Sequence, residues 1–200
     1  SFLAAFLLFL WLGLAFFISQ TGFFQNLTLG IPNISFLFLP IAIGFSLLIN
    51  STAFQKIVGK LEVHWLIAVQ VFRLLGYTFL VLYEQGLMPA EFAFPSGYGD
   101  ILIGLTAPVV GYLYFLKKSY SHKLALVWNY IGILDLVIAI VTGFFSYSSP
   151  YQLLAHNLPN DLLFAFPLAL VPTFAVPLSI LLHFFSLKKL AKNNAVIRSR

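Results

Sequence analysis

Long apolar stretches separated by short polar connections are the main pattern along this chain. A helix needs about 20 apolar residues to cross the roughly 30 Å hydrocarbon core of a membrane. Six such stretches lie approximately at residues 2–19, 34–52, 63–83, 99–116, 124–147 and 161–187. The pattern therefore predicts an all-α bundle of six transmembrane helices in one domain, residues 1–187, followed by a tail at 188–200.

Lysine and arginine residues outside these stretches occur in three places. Two are the connections at 53–62 and 117–123, and the third is the tail. In a six-helix arrangement these segments lie on one side of the membrane, and basic residues favour the cytoplasmic side. The sequence therefore predicts that both termini are cytoplasmic.

The composition supports a lipid environment. Hydrophobic residues make up 60% of the 200 residues and charged residues 8%, whereas a soluble domain carries about 25% charged residues. The lipid bilayer is therefore the predicted partner. The net charge of +5 reflects the basic connections and tail rather than a nucleic-acid-binding module. The absence of cysteine excludes disulfides, thiolate catalysis and cysteine-ligated metals.

Two charged residues interrupt the apolar stretches near the membrane centre. Arg73 lies in the middle of the third predicted helix and Asp135 in the middle of the fifth, and both helices run in the same direction. An unpaired charge at this depth costs several kcal/mol, so we expect the two side chains to pair. The pair marks a candidate substrate or ion pathway, with a purely structural salt bridge as the alternative.

Further polar residues lie close to this level. Gln70 and Tyr77 are one turn before and one turn after Arg73, which predicts that they share its helix face. Asn129 lies one to two turns from Asp135, on a different face of its helix. These residues join the candidate pathway, although interhelical hydrogen bonding alone would also explain them.

The sixth stretch contains three prolines, Pro167, Pro172 and Pro177. A proline cannot bond the carbonyl group four residues before it, so three carbonyl groups need another partner inside the membrane. One of them belongs to Thr173, which we expect at the depth of Arg73. The pattern predicts either an ordinary kinked helix or a broken helix that contributes Thr173 to a transport site.

Asp100 follows the segment PSGYG and opens the fourth predicted helix. We expect it to cap the helix N-terminus, because a carboxylate there accepts hydrogen bonds from free backbone N–H groups. A second role, the attraction of cations to an outer vestibule, places Asp100 in the candidate pathway.

Two histidines near helix ends suggest a different chemistry. His64 and His183 lie just inside the predicted cytoplasmic ends of the third and sixth helices. Histidines at equal depth on two helices could bind haem through both axial positions, so a haem-binding membrane protein is one alternative. The sequence contains no metal-ligand or catalytic motif, which argues against a metal centre and against an enzyme.

Two short motifs carry a resemblance to known proteins. The segments FPSGYGDILIGLTAP and VWNYIGILDLVIAIVTG contain the patterns P-x-G-x-G-D and W-N-x-x-G-x-x-D. Through these motifs, residues 70–185 resemble small multi-span inner-membrane proteins of bacteria with no assigned activity. The resemblance implies a bacterial source and a location in the cytoplasmic membrane. It makes family features of Asp100, Trp128, Asn129 and Asp135.

A small transporter or permease is the function that these patterns favour. Arg73 would hold an anionic group or tune the carboxyl group of Asp135, which would carry a proton or another cation. The alternative is a non-catalytic subunit or assembly factor of a larger membrane complex, because the chain has little soluble mass and no catalytic motif. Other membrane subunits or further copies of the chain are then its predicted partners.

Overall fold

The computed structural model describes residues 2–28 and 31–198, and helices dominate this part of the chain. The α-helices are α1 (Phe2–Gln20), α2 (Phe38–Asn50), α3 (Thr52–Lys60), α4 (Val63–Ala68), α5 (Tyr77–Glu84), α6 (Ala90–Phe115), α7 (Ser121–Phe145) and α8 (Val176–Arg198). Short 3-10 turns occupy Phe23–Gln25, Asn33–Leu37, Val69–Gly76 and Asp161–Phe164, and a π-helical turn occupies Val171–Ala175. The strands β1 (Leu27–Thr28) and β2 (Ile31–Pro32) form one small antiparallel pair.

Within the described residues, four helical rods are long and apolar enough to cross a membrane. They are Val63–Glu84, which joins α4 to α5, then α6, α7, and Val171–Lys192, which contains most of α8. A fifth span results if Phe38–Leu47 and Thr52–Lys60, bent by 97°, count as one broken helix. The apolar part of α1, Ala5–Gln20, is shorter than these rods. The prediction of an all-helical protein with apolar, membrane-type helices is confirmed, with four to five such spans.

The four long rods pack side by side as a ring. Helix α6 packs on the α4–α5 rod and on α7, while α8 closes the ring between α7 and α4. Apolar side chains form three core clusters in the described part of the chain, among them one around Phe79 and Phe92 and another around Ile103 and Trp128. A cluster of polar side chains lies between these two cores.

The second predicted helix, 34–52, is shorter than expected and is followed by a bend. After α2 ends, the Ser51 side chain caps α3 by accepting a 3.2 Å hydrogen bond from the Phe54 N–H. A capping serine satisfies a free N–H group at the start of a new helix. The segment 53–62, predicted as a connection, therefore contains a helix.

The fourth predicted helix, 99–116, begins too late. Helix α6 starts at Ala90, so Asp100 lies inside it and the predicted N-cap role is wrong. The segment PSGYG has the composition of a turn, but its glycines permit close helix packing. A Cβ added at Gly97 would lie 2.8 Å from the Leu80 side chain, and small residues allow such approaches between membrane helices.

The sixth predicted helix, 161–187, is divided. Asp161–Phe164 forms a 3-10 turn, and the long rod begins only at Val171, with the π-helical turn. Pro172 lies in the first turn of this rod, where the missing N–H breaks no helical hydrogen bond. Helix α8 then continues through most of the predicted tail, whose last two residues lie outside the described residues.

Candidate functional site

Arg73 lies in the 3-10 segment Val69–Gly76 between α4 and α5. A 3-10 helix has 3.0 residues per turn, so residues three apart share a face. Gln70, Arg73 and Gly76 are accordingly the buried residues of the segment, and Arg73 is only 3% exposed. The local change of helical period therefore directs the guanidinium group into the ring of helices.

The same period decides which predicted neighbours share the face of Arg73. Gln70 does, and its Nε2–H donates a 3.1 Å hydrogen bond to the Ser179 carbonyl oxygen. Tyr77 does not, because it is 61% exposed on the outer surface. The prediction that it lies beside Arg73 is wrong, because that prediction used the four-residue spacing of an α-helix. The three-residue spacing of the 3-10 segment puts Gly76 on the face of Arg73 instead.

The Arg73 guanidinium group binds two carboxylates. Its Nε–H donates a 2.7 Å hydrogen bond to Oδ1 of Asp100 on α6. Its Nη2 donates to Oδ2 of Asp135 on α7, so the predicted ion pair between Arg73 and Asp135 is confirmed. Asp100 is a second partner that the sequence did not reveal, because the pattern placed it at a helix end.

A fourth helix contributes a neutral histidine to the cluster. Nη1 of Arg73 lies 3.4 Å from Nε2 of His183, which is fully buried on α8. A guanidinium group has donors only, so Nε2 accepts and the hydrogen bonds assign the ring proton to Nδ1. This Nδ1–H donates a 3.0 Å hydrogen bond to Oδ1 of Asn129. The Nδ2–H of Asn129 in turn donates a 3.0 Å hydrogen bond to Oγ of Ser186. Asn129 thereby fixes the orientation of the imidazole.

His64 lies away from this cluster, so the predicted equal depth of the two histidines is wrong. It precedes Arg73 by nine residues on the same rod, the last four of them in the 3-10 segment, which separates them by roughly 15 Å along the axis. His183, by contrast, contacts Arg73 directly. The two axial nitrogens of one haem iron lie about 4 Å apart, so His64 and His183 do not fit bis-histidine haem ligation.

His64 also lies beside an acidic side chain. Its Nδ1 lies 3.2 Å from Oε2 of Glu62. Among the residues that the structure describes, no group of three or more His, Cys, Asp or Glu side chains could hold a metal ion.

Within the described part of the chain, Thr173 makes no hydrogen bond to the polar cluster. Its carbonyl oxygen accepts a 3.2 Å hydrogen bond from Nε1–H of Trp11 on α1, and its hydroxyl donates to the Ala169 carbonyl oxygen. The expectation that the carbonyl group freed by Pro177 finds another partner is thus confirmed. The partner is a tryptophan, which ties α1 to the π-helical turn.

Glycines make room for each polar partner of Arg73. A Cβ atom added to any of three helical glycines would overlap a polar side chain from the neighbouring helix. Only glycine therefore leaves space for that side chain. The pairs are Gly76 with Asp100, Gly99 with Asp135, and Gly132 with His183. Glycine is unfavourable inside a helix, so these positions were the sequence signal that could have indicated the cluster.

The cluster contains more acidic than basic groups. One guanidinium faces two carboxylates, and the neighbouring imidazole is neutral in the tautomer that the hydrogen bonds assign. The net formal charge is therefore −1 when both Asp100 and Asp135 are ionised. Their side chains are 17% and 12% exposed, compared with 2% for Arg73. The arrangement can bind one proton or one other monovalent cation, and the carboxylates are the accessible groups.

One comparison with known proteins identifies a family. The family model described as Domain of unknown function (DUF8737) matches residues 31–191, and the chain belongs to this family. No curated protein and no solved structure matches the chain. The matched region includes every residue of the polar cluster around Arg73.

Proposed function

With membership of this family as the premise, we propose that the chain is a small proton-linked transporter whose ion-binding site is the cluster of Arg73, Asp100 and Asp135. One observation carries the proposal: a single buried guanidinium lies between two carboxylates. An uncompensated charge inside a membrane protein costs several kcal/mol. A site with net charge −1 is therefore most stable when it holds a proton or a cation.

The chemistry of the three groups assigns their roles. Arg73 cannot lose its proton in a protein, so it acts as a fixed counter-charge and positions both carboxylates. The exchangeable proton is carried by Asp100 or Asp135, whose side chains are the more exposed members of the cluster. Nε2 of His183 contacts the guanidinium, and Asn129 holds the imidazole in place.

Infrared difference spectroscopy tests this proposal without knowledge of the substrate. When the pH is lowered, the reconstituted protein should gain the carbonyl-stretch band of one protonated carboxylic acid inside the bundle. The double variant Asp100→Asn/Asp135→Asn should lose this band. Glu91→Gln, which removes an exposed carboxylate from the start of α6, should keep it. A band that survives in the double variant would overturn the assignment.

The proposal includes six membrane crossings with both termini in the cytoplasm of a bacterium. In this arrangement α1 and the bent pair α2–α3 provide the first two crossings, and the four rods of the ring provide the others. Three basic segments on one side support the orientation. They are the C-terminal half of α3, where the second crossing ends, the connection at 117–123 and the end of the chain.

Single-cysteine labelling tests this topology, because the natural chain has no cysteine to interfere. A cysteine at exposed Ser119 should react with an impermeant maleimide only from the cytoplasmic side. A cysteine at exposed Asn157 should react only from the other side. A cysteine at Leu134, which is exposed in the middle of α7, should stay unlabelled in the bilayer. Labelling of positions 119 and 157 from the same side would contradict the topology.

A role as a subunit of a larger complex is the second candidate, favoured by three tyrosines on the outer surface. Tyr77, Tyr98 and Tyr130 are 61%, 61% and 63% exposed, and each lies well inside its rod. A tyrosine hydroxyl in hydrocarbon needs a hydrogen-bond partner, and the described residues provide none. Native mass spectrometry of protein extracted gently from its own membrane separates the candidates, since a subunit would carry the additional mass of other polypeptides.

A further inference from the structure

An apolar cavity of about 330 Å³ lies beside the polar cluster. Its walls come from α2, α5, α6, α7, the 3-10 turns at Asn33–Leu37 and Asp161–Phe164, and the rod that contains α8. This volume falls in the range of small-molecule binding sites, which are mostly apolar with a few placed polar groups. The cavity therefore has the size and composition of a ligand site.

Phenylalanine and one carboxylate define the chemistry of this cavity. Phe79, Phe92, Phe144 and Phe164 are among its lining residues, and Asp100 is the charged residue among those that line it. Oδ1 of Asp100 is bound by Arg73, whereas Oδ2 makes no hydrogen bond to any residue in the described part of the chain. Aromatic faces attract cations, so both the rings and the carboxylate favour a positive charge.

We propose that the cavity binds a lipophilic organic cation, with its apolar body between the phenylalanine rings and its positive charge against Asp100. This inference rests on the proposed transport function and names its substrate class. A neutral apolar molecule would fill the cavity but leave the excess negative charge of the cluster unchanged. An anion would add to it. A lipophilic cation would pack against the apolar walls and neutralise the excess negative charge.

The same geometry links the bound cation to a proton. Four charged or titratable groups meet at this level of the ring, one from each long rod: Arg73, Asp100, Asp135 and His183. Because the cluster has one negative charge in excess, a proton on either carboxylate and a cation in the cavity neutralise the same charge. The two therefore compete, and binding of the organic cation releases a proton. Such competition is the thermodynamic basis of exchange transport.

Binding of tetraphenylphosphonium to protein in lipid nanodiscs tests the inference, with empty nanodiscs as the background. Asp100→Asn should weaken binding on the order of tenfold or more, because it removes the partner of a desolvated charge. Ala139→Phe, which fills the cavity from α7, should have a similar effect. Val137→Phe adds the same ring on the exposed side of α7 and should leave the affinity unchanged.

Charge and pH provide the decisive comparisons. Triphenylphosphine oxide has a similar aromatic body without the charge, so it should displace tetraphenylphosphonium only at concentrations about tenfold higher or more. Each unit of lower pH should weaken binding of the cation by up to about tenfold, since one proton competes for the site. If Ala139→Phe does not fold, Val176→Phe fills the cavity from the opposite wall. Equal affinity in wild type and Asp100→Asn, or displacement by the neutral compound at equal concentration, would overturn the inference.

The infrared experiment keeps this inference separable from the proposed function. A protonation band from the aspartates together with no specific cation binding would end the substrate assignment and leave proton binding intact. Cation binding that depends on Asp100 but is independent of pH would end the proton linkage. It would leave the cavity as a cation site.

Discussion

Replacement of Arg73 by methionine should lower the unfolding temperature in detergent on the order of 10 °C. The substitution keeps a side chain of similar length but leaves Asp100 and Asp135 facing each other without a counter-charge. Removal of one partner from a buried ion pair costs about 3–5 kcal/mol. In a protein of this size, each kcal/mol of lost stability lowers the unfolding temperature by about 2–4 °C. Loss of the size-exclusion peak after heating measures the effect.

Two further variants separate charge balance from packing at this position. Arg73→Met combined with Asp100→Asn and Asp135→Asn leaves no charge in the cluster, so much of the lost stability should return. Lys118→Met removes the same charge from an exposed connection and should have almost no effect, as expected for surface changes. A triple variant no more stable than Arg73→Met would show that the neutral parts of arginine, rather than its charge, hold the helices together.

Arg73→Lys refines the interpretation. Lysine keeps the charge but lacks the planar fork of arginine. Through this fork Arg73 donates to Asp100, to Asp135 and, over a distance of 3.4 Å from Nη1, to the Gly132 carbonyl oxygen. We expect an unfolding temperature between those of the wild type and Arg73→Met. A lysine variant equal to the wild type would show that a point charge is sufficient in this cluster.

The helical membrane architecture could be predicted because hydrophobic length and charge act over whole segments. The pairing of Arg73 with Asp135 could also be predicted, since each is a charge near the middle of an apolar helix and each requires a partner. These conclusions do not depend on the position of any single side chain. They follow from the cost of placing polar groups in hydrocarbon.

The details of the site depend on local geometry that the pattern does not contain. An α-helical period placed Tyr77 beside Arg73, but a short 3-10 segment changes the phase and places Gly76 there. Proline and glycine in PSGYG indicated a turn, yet this segment lies within α6. Glycine permits both tight turns and close helix contacts, so composition alone could not locate Asp100 inside the ring.

Gly99→Ala should reduce the stability of the protein by about 3 kcal/mol. The added Cβ would overlap the Asp135 carboxylate, so the carboxylate would have to leave its position against Arg73. Gly13→Ala is the matched control, because a Cβ at Gly13 in α1 meets no atom within 4 Å. That change should be neutral or stabilise the helix by up to about 1 kcal/mol. Denaturant titration of the two variants in detergent gives the comparison.

A double-mutant cycle shows whether Gly99 acts through the carboxylate or through general helix packing. Asp135→Ala removes the group that Gly99 accommodates, while Asp100 still balances the charge of Arg73. In that background Gly99→Ala should therefore cost close to nothing. Gly111→Ala would meet the His64 carbonyl oxygen and the Ala68 side chain instead and should cost the same in both backgrounds, because distant changes are additive. Equal costs of Gly99→Ala with and without Asp135 would mean that the glycine serves helix approach alone.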